Sequence, residues 1–236
     1  MNREGLFFYG ERYRKDVIDM KRVIVVGGGP KSYIPDLKEY ACEECIWIGA
    51  DQGAEVLVEQ GVDPDISIGD FDSVSEQSLD EIKKKSKQVL TYPDEKDETD
   101  LELAINEALR LRPGHILLFG VTGGRIDHSQ ANMQLLYPLM KENVKSTIID
   151  RQNRVELVSA GEHKIEADEF YPYVSFLPVT LEVTNITLEG FYYPLDQAYL
   201  PFGSTLCISN RLIEDTGTFS FESGILLVIR STDLPT

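Results

Sequence analysis

Apolar residues follow two different patterns in the two parts of the chain. Up to about residue 150, short runs of β-branched and other apolar residues alternate with longer amphipathic stretches, which is typical of strands that alternate with helices. The predicted strands are residues 22–26, 46–48, 66–68, 89–92, 116–119 and 147–149. Because these runs are almost continuously apolar, we expect strands covered on both faces, in a mostly parallel, open, Rossmann-like sheet.

The second part lacks the helical period. Strands are predicted at residues 155–158, 173–177, 181–188, 206–209, 218–221 and 225–229, separated by Gly, Pro, Asn and Asp at short intervals. We therefore predict an α/β domain over residues 20–150, followed by an all-β sandwich or small barrel over residues 151–236. Residues 1–19 are polar, aromatic and aperiodic, and they are predicted to be an extension or a leader.

One helix of the first part has a clear start. Thr99 and Glu102 form a capping-box pair, and the apolar stripe that follows predicts a helix through Arg112. Asp97 then lies just before this helix and Asp100 in its first turn, where unpaired backbone N–H groups favour anions. A charge run as dense as this one is otherwise usually a solvated loop.

Two carboxylates directly follow the third predicted strand. Asp70 and Asp72 are two residues apart, a spacing that on a regular strand places both side chains on one face, and Gly69 allows a ligand to approach closely. Ser73 and Glu76 form a second capping-box pair, which predicts a helix start immediately afterwards. The two carboxylates suit a divalent cation such as Mg²⁺, and the alternative is a polar turn that caps this helix.

Glycines and an aspartate follow the first two predicted strands. Gly27-Gly28-Gly29-Pro30 stands where glycines let the backbone approach a nucleotide phosphate in open α/β folds, although a simple tight turn fits equally well. Asp51 follows the second strand at the edge where such sheets bind ligands. It also suits the N-cap of a helix that ends near Gly61, and the two roles are compatible.

Two cations are candidate phosphate contacts. Lys96 lies in the charge run before the predicted helix, and Arg125 follows a further strand, where its planar donors match phosphate geometry. Arg125 and Asp127 could alternatively form a plain salt bridge. His128 suits a general base, or a residue at a helix start that bonds to the backbone.

Composition and charge exclude several partners. The net charge of −17 argues against nucleic acid and anionic membranes, which attract chiefly Lys and Arg. No apolar run reaches the roughly 20 residues that cross a bilayer, and there is no signal-peptide core, so we expect a cytoplasmic protein with a small substrate. Three cysteines do not describe a disulfide framework, and we expect Cys42 and Cys45 to be reduced thiols rather than a metal or redox pair.

The chain resembles the thiamin pyrophosphokinase family, whose members transfer the pyrophosphoryl group of ATP to thiamin. The resemblance runs from Val23 to Arg230 and lies in an ordered set of motifs: Gly28-Gly29-Pro30, Gly49-Ala50-Asp51-Gln52-Gly53, Gly69-Asp70-Phe71-Asp72-Ser73, Lys96-Asp97-Glu98-Thr99-Asp100, Gly123-Gly124-Arg125-Ile126-Asp127-His128, Tyr193-Pro194-Leu195 and Ile208-Ser209-Asn210. It implies an α/β catalytic domain, a C-terminal β-sandwich, and a homodimer that binds thiamin at the subunit interface.

The resemblance also implies residue roles. The expected catalytic set is Asp51, Asp70, Asp72 and Asp100, of which Asp70, Asp72 and Asp100 hold Mg²⁺. The expected ATP contacts are Gly28, Gly29, Asp51, Lys96 and Arg125. The expected thiamin contacts are Asp97, Asp127, Ser209 and Asn210, with Asp127 either bonding thiamin or orienting Arg125.

The implied reaction requires little covalent chemistry from the protein. The primary hydroxyl of thiamin attacks the β-phosphorus of Mg-ATP, AMP leaves, and Asp100 is a candidate acceptor of the hydroxyl proton. Alternative functions are a pyrophosphokinase for another small alcohol such as a pterin, and a metal-dependent phosphohydrolase. A sensor that binds thiamin diphosphate or a nucleotide without catalysis is the alternative from a different class.

Overall fold

The computed structural model describes residues 21–93 and 97–233, so the predicted N-terminal extension lies outside the described residues. The chain divides into two compact units between Ser146 and Thr147. The domain boundary predicted near residue 150 lies close to this division.

The first unit alternates strands with helices. Along its described residues the strands are β1 (Arg22–Val26), β2 (Ile46–Ala50), β3 (Ile66–Gly69), β4 (Gln88–Thr91) and β5 (His115–Phe119). The α-helices are α1 (Gln52–Glu59), α2 (Glu76–Lys85), α3 (Asp100–Arg110), α4 (Ile126–Gln134) and α5 (Leu136–Lys141), and two 3-10 helices lie at Lys31–Tyr33 and Leu37–Tyr40. Strand β6 (Lys145–Ile149) contains the boundary between the units.

The sheet of the first unit is parallel and buried. Its strands lie in the order β5-β1-β2-β3-β4, and every neighbouring pair in this series is parallel. Strand β5 is buried along its whole length, as the continuous apolar pattern predicts. The chain adds β2, β3 and β4 on one side of β1 and β5 on the other. The loops after β1 and β5 therefore flank the switch point at which open α/β sheets bind ligands.

One of the two predicted capping boxes is confirmed and the other is wrong. In α3 the Thr99 hydroxyl accepts a hydrogen bond from the Glu102 amide, and the Glu102 carboxylate accepts one from the Thr99 amide at 3.0 Å. Helix α2 is capped by Ser75 rather than by Ser73, and the Ser75 hydroxyl accepts from an amide of the first turn. Ser73 still belongs to the preceding turn, which the left-handed φ of +61° at Phe71 creates.

The expectation of reduced thiols at Cys42 and Cys45 is wrong, because these two residues form a disulfide. A turn brings them together: the Cys45 amide donates to the Cys42 carbonyl at 3.3 Å, and the two Cα atoms lie 5.2 Å apart. Cys207 is a buried thiol, and desolvation raises its pKa to about 11. No helix in the described part of the chain is long and apolar enough to cross a membrane.

The second unit is built from antiparallel strands. They are β7 (Asn153–Glu166), β8 (Tyr173–Pro178), β9 (Glu182–Glu189), β10 (Leu195–Pro201), β11 (Asn210–Arg211) and β12 (Thr216–Ser231). Strand β12 pairs with β7 along its length, with β9 in its first half and with β8 in its second half. A bulge between Phe221 and Ile225 separates the halves, so one strand contributes to both layers of a β-sandwich.

Three details of the second unit differ from the predicted strands. Residues 218–221 and 225–229 belong to one continuous strand, because the irregularity between them bends β12 without ending it. Strands β10 and β11 were not predicted. The predicted strand at residues 206–209 is wrong: this segment is a turn in which Leu206 and Ile208 are exposed and Ser209 has a φ of +55°.

Aromatic packing fills the core of the second unit. Phe176 is fully buried on β8 and contacts two other rings, with centroid distances of 5.6 Å to Phe191 and 4.9 Å to Phe219. Apolar residues from β8, β9 and β12 join this cluster: Val174, Val183, Ile186, Leu188, Phe221, Leu226 and Val228. Burial of these side chains between the layers is the main source of stability for the unit.

We predict that Phe176→Ala lowers the free energy of unfolding by about 3–5 kcal/mol, because it removes a buried ring and leaves a cavity. Urea unfolding measures the change. Phe202→Ala is the matched control, since Phe202 is 65 % exposed, and its effect should stay within about 0.5 kcal/mol. Equal losses in the two variants would contradict the assignment of this core.

Candidate active site

Three aspartates meet at the carboxyl edge of the parallel sheet. Asp51 follows β2, and Asp70 and Asp72 follow β3. One carboxylate oxygen from each lies within 4.8 Å of the others, and we call these three residues the carboxylate cluster. Parallel neighbours end at the same sheet edge, so the pairing of β2 with β3 brings the two loops together.

Strained backbone fixes the distance between these two loops. Asp51 has a φ of +49°, and its amide donates to the carbonyl of Ile68 at 2.7 Å. Gly69 has a φ of +153°, and a Cβ at this position would lie 3.2 Å from the Asp51 Cα. A residue with a side chain would push the loops apart, so glycine is required for the close approach.

Phe71 anchors the loop that carries the other two carboxylates. Its ring is buried against Ala54 and Val58 of α1 and Ile82 of α2, although its φ of +61° is unfavourable for a bulky residue. Burial of the ring offsets this strain. The aromatic residue between two aspartates is thus part of the core, and it turns its neighbours Asp70 and Asp72 outward from that core.

Asp51 is in an environment that disfavours its charge. Burial raises the pKa of Asp51 above its usual range, the Ser73 hydroxyl bond and a backbone bond lower it, and the charges of Asp100 and Asp70 raise it again. The Ser73 hydroxyl donates to Asp51 Oδ2 at 2.5 Å. Asp51 Oδ1 is buried and has no hydrogen-bond partner among the described residues.

These features fit a divalent cation. A buried carboxylate oxygen without a hydrogen-bond partner among the described residues is costly, and three carboxylates with oxygens within 4.8 Å of one another repel unless a positive charge joins them. The donors are all hard carboxylate oxygens, which Mg²⁺ prefers. The cluster therefore suits a magnesium ion shared with a phosphorylated ligand.

Asp100 lies in the first turn of α3, near enough to raise the pKa of Asp51, but it is not one of the three residues grouped within 4.8 Å. Asp97 is exposed just before that helix. Lys96, an expected ATP contact, lies outside the described residues.

Glycine turns close the sheet edge at the switch point. The amides of Gly27 and Gly29 donate to the carbonyls of Phe119 and Gly120 at 2.8 and 2.7 Å, which ties the loop after β1 to the loop after β5. The Gly29 amide is therefore engaged within the protein. Gly28 is exposed, so of the two glycines predicted to contact ATP, Gly28 is better placed than Gly29.

Gly53 has a structural reason for its place in the predicted motif. It lies in the first turn of α1, and a Cβ there would lie 1.9 Å from the carbonyl oxygen of Val26. Only glycine lets α1 pack this closely against the end of β1, and the packing sets the helix directly behind Asp51.

Arg125 and Asp127 form an exposed ion pair at the start of α4. Arg125 donates through Nε to Asp127 Oδ1 at 3.2 Å and through a terminal nitrogen to Oδ2 at 2.6 Å. This bidentate bond, with a backbone bond from His128, lowers the pKa of Asp127 to about 2. The geometry favours the interpretation that Asp127 orients Arg125. His128 is exposed in the first turn of α4.

The Ser209-Asn210 motif lies in the second unit. Ser209 is exposed, and its amide donates to the Ser175 hydroxyl at 2.9 Å. Asn210 is buried: its Oδ1 accepts from the amides of Tyr193 and Arg211, and its Nδ2 donates to the Tyr193 carbonyl at 2.8 Å. Asn210 therefore holds the Tyr193 backbone, and Ser209 presents a side chain to solvent.

Sequence reasoning missed the role of Ser73, because its spacing to Glu76 matched a capping box. It also missed Gln52, whose Nε2 donates to the Ser73 carbonyl at 3.3 Å. Neither contact has a local signal, because both join the segment after β2 to the loop after β3, about 20 residues apart in sequence. The fold and site together define an α/β protein with an open parallel sheet, whose carboxyl edge carries a carboxylate cluster that suits a cation with a phosphorylated ligand.

Comparison with known proteins identifies the family. Residues 37–148 match the model "Thiamin pyrophosphokinase, catalytic domain", and residues 162–226 match "Thiamin pyrophosphokinase, vitamin B1 binding domain". A curated relative, the thiamine pyrophosphokinase of Bacillus subtilis, is 48% identical over 214 residues, which are 91% of this chain and 100% of that protein. The chain belongs to the thiamin pyrophosphokinase family.

Solved structures agree with this assignment. The crystal structure of the Bacillus subtilis thiamine pyrophosphokinase has a TM-score of 0.86 at 47% identity and covers 91% of this chain and 100% of that one. The Geobacillus thermodenitrificans thiamin pyrophosphokinase gives 0.83 at 41% identity, with 90% and 98% covered. The predicted family and fold class are confirmed, whereas the roles of individual site residues stay predictions.

We predict that the Asp127 carboxyl titrates near pH 2 and that Arg125→Gln moves its midpoint upward, toward the ordinary value for Asp, because the backbone bond from His128 remains. Because the folded pKa is lowered, the pair stabilises the protein above about pH 4, and this contribution disappears as the pH falls through 2. Carboxyl ¹³C NMR measures the midpoint. Arg110→Gln, which breaks a different exposed pair with Glu107, should leave it unchanged. An unchanged midpoint in Arg125→Gln would show that the Arg125 pair is absent in solution.

Proposed function

We propose that this chain catalyses the transfer of the pyrophosphoryl group of ATP to the hydroxyl of thiamin, which yields thiamin diphosphate and AMP. The observation that carries the proposal is the carboxylate cluster, placed at the ligand-binding edge of the sheet in a chain of this family. The charge of −17 also suits a substrate with a cationic thiazolium ring. We place the reaction in the cytoplasm.

Magnesium is the proposed cofactor. Asp70, Asp72 and Asp100 are the proposed ligands, and the unpartnered Oδ1 of Asp51 supports a fourth carboxylate beside them. When bound, the ion neutralises polyphosphate charge and holds the phosphate groups in place. The carboxylates supply the negative charge that retains the ion, and Phe71 keeps two of them in position.

The remaining residues of the first unit bind and orient the substrates. Arg125, exposed at the switch point and held by Asp127, presents its planar donors to phosphate oxygens, and Gly28 leaves room for backbone approach. Lys96 is proposed as a second phosphate contact. Asp100 accepts the proton of the attacking hydroxyl. Catalysis then comes mainly from positioning and charge neutralisation.

The second unit is proposed to bind thiamin in a homodimer. Ser209 is the proposed thiamin contact from this unit, and Asn210 supports it by holding the Tyr193 backbone. Asp97 is the proposed thiamin contact from the first unit, where Asp127 orients Arg125. Large apolar side chains are exposed close to Ser209 in sequence: Leu206 is 58 %, Ile208 44 % and Ile213 60 % exposed. Apolar side chains left in water next to a predicted substrate contact support an interface that covers them.

We predict that the wild-type protein, given Mg-ATP and thiamin, forms AMP and thiamin diphosphate in equal amounts, and that Asp72→Asn lowers turnover at least about 100-fold, because it removes a charged ligand at constant shape. Chromatography of both products measures the rate. Asp63→Asn is the control: it changes an exposed residue paired with Lys85 and should keep full activity.

Other outcomes would identify another function. Release of AMP with a pterin alcohol but not with thiamin would indicate a different acceptor, and release of phosphate without an acceptor would indicate a phosphohydrolase. Binding of thiamin diphosphate without any turnover would indicate a sensor.

We predict that each thiamin site draws on two subunits. Asp72→Asn chains and Ser209→Lys chains should each be inactive, the latter because a cation occupies the place proposed for the thiazolium ring. Chains unfolded and refolded together should regain activity, since one site in each heterodimer then contains only unaltered residues. Native mass spectrometry verifies heterodimer formation. Heterodimers without activity would place each complete site within one chain.

A further inference from the structure

Ser73 makes a close polar contact to the carboxylate cluster. Its hydroxyl donates to Asp51 Oδ2 at 2.5 Å, while its carbonyl accepts from Gln52 Nε2 at 3.3 Å. The two polar groups of Ser73 therefore bond to consecutive residues, Asp51 in the loop after β2 and Gln52 at the start of α1. The two bonds connect the segment after β2 to the loop after β3, on which Asp70 and Asp72 lie.

The hydroxyl bond determines how the Asp51 carboxylate is turned. Oδ2 is engaged by Ser73, so Oδ1 is the oxygen left buried and without a hydrogen-bond partner among the described residues. A carboxylate on a short side chain can rotate about its last bond unless one oxygen is held. Without the hydroxyl, repulsion from Asp70 and Asp72 would favour rotation of Asp51 away from them.

Ser73 is not needed to start the next helix. Ser75 fills the N-cap of α2, and its hydroxyl accepts from the Ser78 amide at 3.1 Å. The two serines are two residues apart and both are exposed, yet one bonds to the carboxylate cluster and the other to the helix. This separation of roles provides a matched pair for experiment.

We propose that Ser73 is a positioning residue of the cation site, whose hydroxyl holds Asp51 so that Oδ1 faces the divalent ion. The inference rests on the proposed function, because it assigns to Ser73 a task in the metal site of that reaction. Hydrogen bonds that orient ligating carboxylates typically change metal affinity about 10- to 100-fold. Ser73 thus acts through Asp51 and does not itself contact substrate.

The test measures Mn²⁺ affinity by electron paramagnetic resonance, in the absence of nucleotide, together with the thermal unfolding temperature in EDTA. Ser73→Ala should weaken Mn²⁺ binding about 10-fold or more while unfolding at the wild-type temperature. Ser73→Thr keeps a hydroxyl and should restore the affinity. Ser75→Ala should show the opposite pair of results: it should bind Mn²⁺ with wild-type affinity and unfold at a lower temperature, because it removes a helix cap.

The possible failures are distinguishable. If Ser73→Ala binds Mn²⁺ as tightly as wild type, or if Ser73→Thr fails to restore the affinity, the positioning role is overturned and the proposed function stands. If Ser73→Ala lowers the unfolding temperature as much as Ser75→Ala does, Ser73 has a structural role and the inference is also overturned. If the wild-type protein binds no Mn²⁺, or if the Asp72→Asn variant binds Mn²⁺ as tightly as wild type does, the proposed metal site is wrong. The role inferred for Ser73 is then wrong as well.

Discussion

The site depends on holding three like charges together at the edge of a hydrophobic sheet. One carboxylate oxygen from each of Asp51, Asp70 and Asp72 lies within 4.8 Å of the others, so the three charges repel one another. The core holds it against this repulsion. Phe71 is buried between α1 and α2 with a left-handed backbone, so the loop cannot swing outward without exposing an aromatic ring. Packing of Phe71 in the core therefore keeps the carboxylates close together despite their repulsion.

Three neighbouring carboxylates are unfavourable in free energy without a cation, and the hydrogen bonds to Asp51 offset this only in part. Ser73 stabilises one oxygen of Asp51 with a hydrogen bond, and the other oxygen stays buried without a partner among the described residues. Burial accordingly raises the pKa of Asp51. A site that is unfavourable in isolation and fits a hard cation is typical of functional centres, where local stability is lower than a purely structural solution would give.

The sequence predicted the first unit best, because parallel strands covered on both faces appear as continuous apolar runs. Residues 22–26 were predicted with the bounds that β1 has, and the Thr99 capping box marks the start of α3. The same local reasoning failed at Ser73. Its distance from Glu76 matches a cap, but the turn at Phe71 depends on packing that is distant in sequence. The disulfide of Cys42 and Cys45 was missed because composition argued for reduced thiols.

Prediction of the site was also limited by contacts between residues that are distant in sequence. The positions of Asp70 and Asp72 at a strand end follow from local pattern, but their contact with Asp51 follows from the pairing of β2 with β3. In the second unit, Leu206 and Ile208 led to a predicted strand although both are exposed in a turn. Apolar residues were interpreted there as core, and their exposure instead supports an interface.

The central claim is that the carboxylate cluster holds a divalent cation, and an anomalous-scattering crystal structure with Mn²⁺ at a concentration that supports turnover tests it most directly. The account predicts a manganese peak bonded to oxygens of Asp70 and Asp72, with Oδ1 of Asp51 facing it. Manganese bound elsewhere in the protein, with no peak among these three carboxylates, would contradict the account.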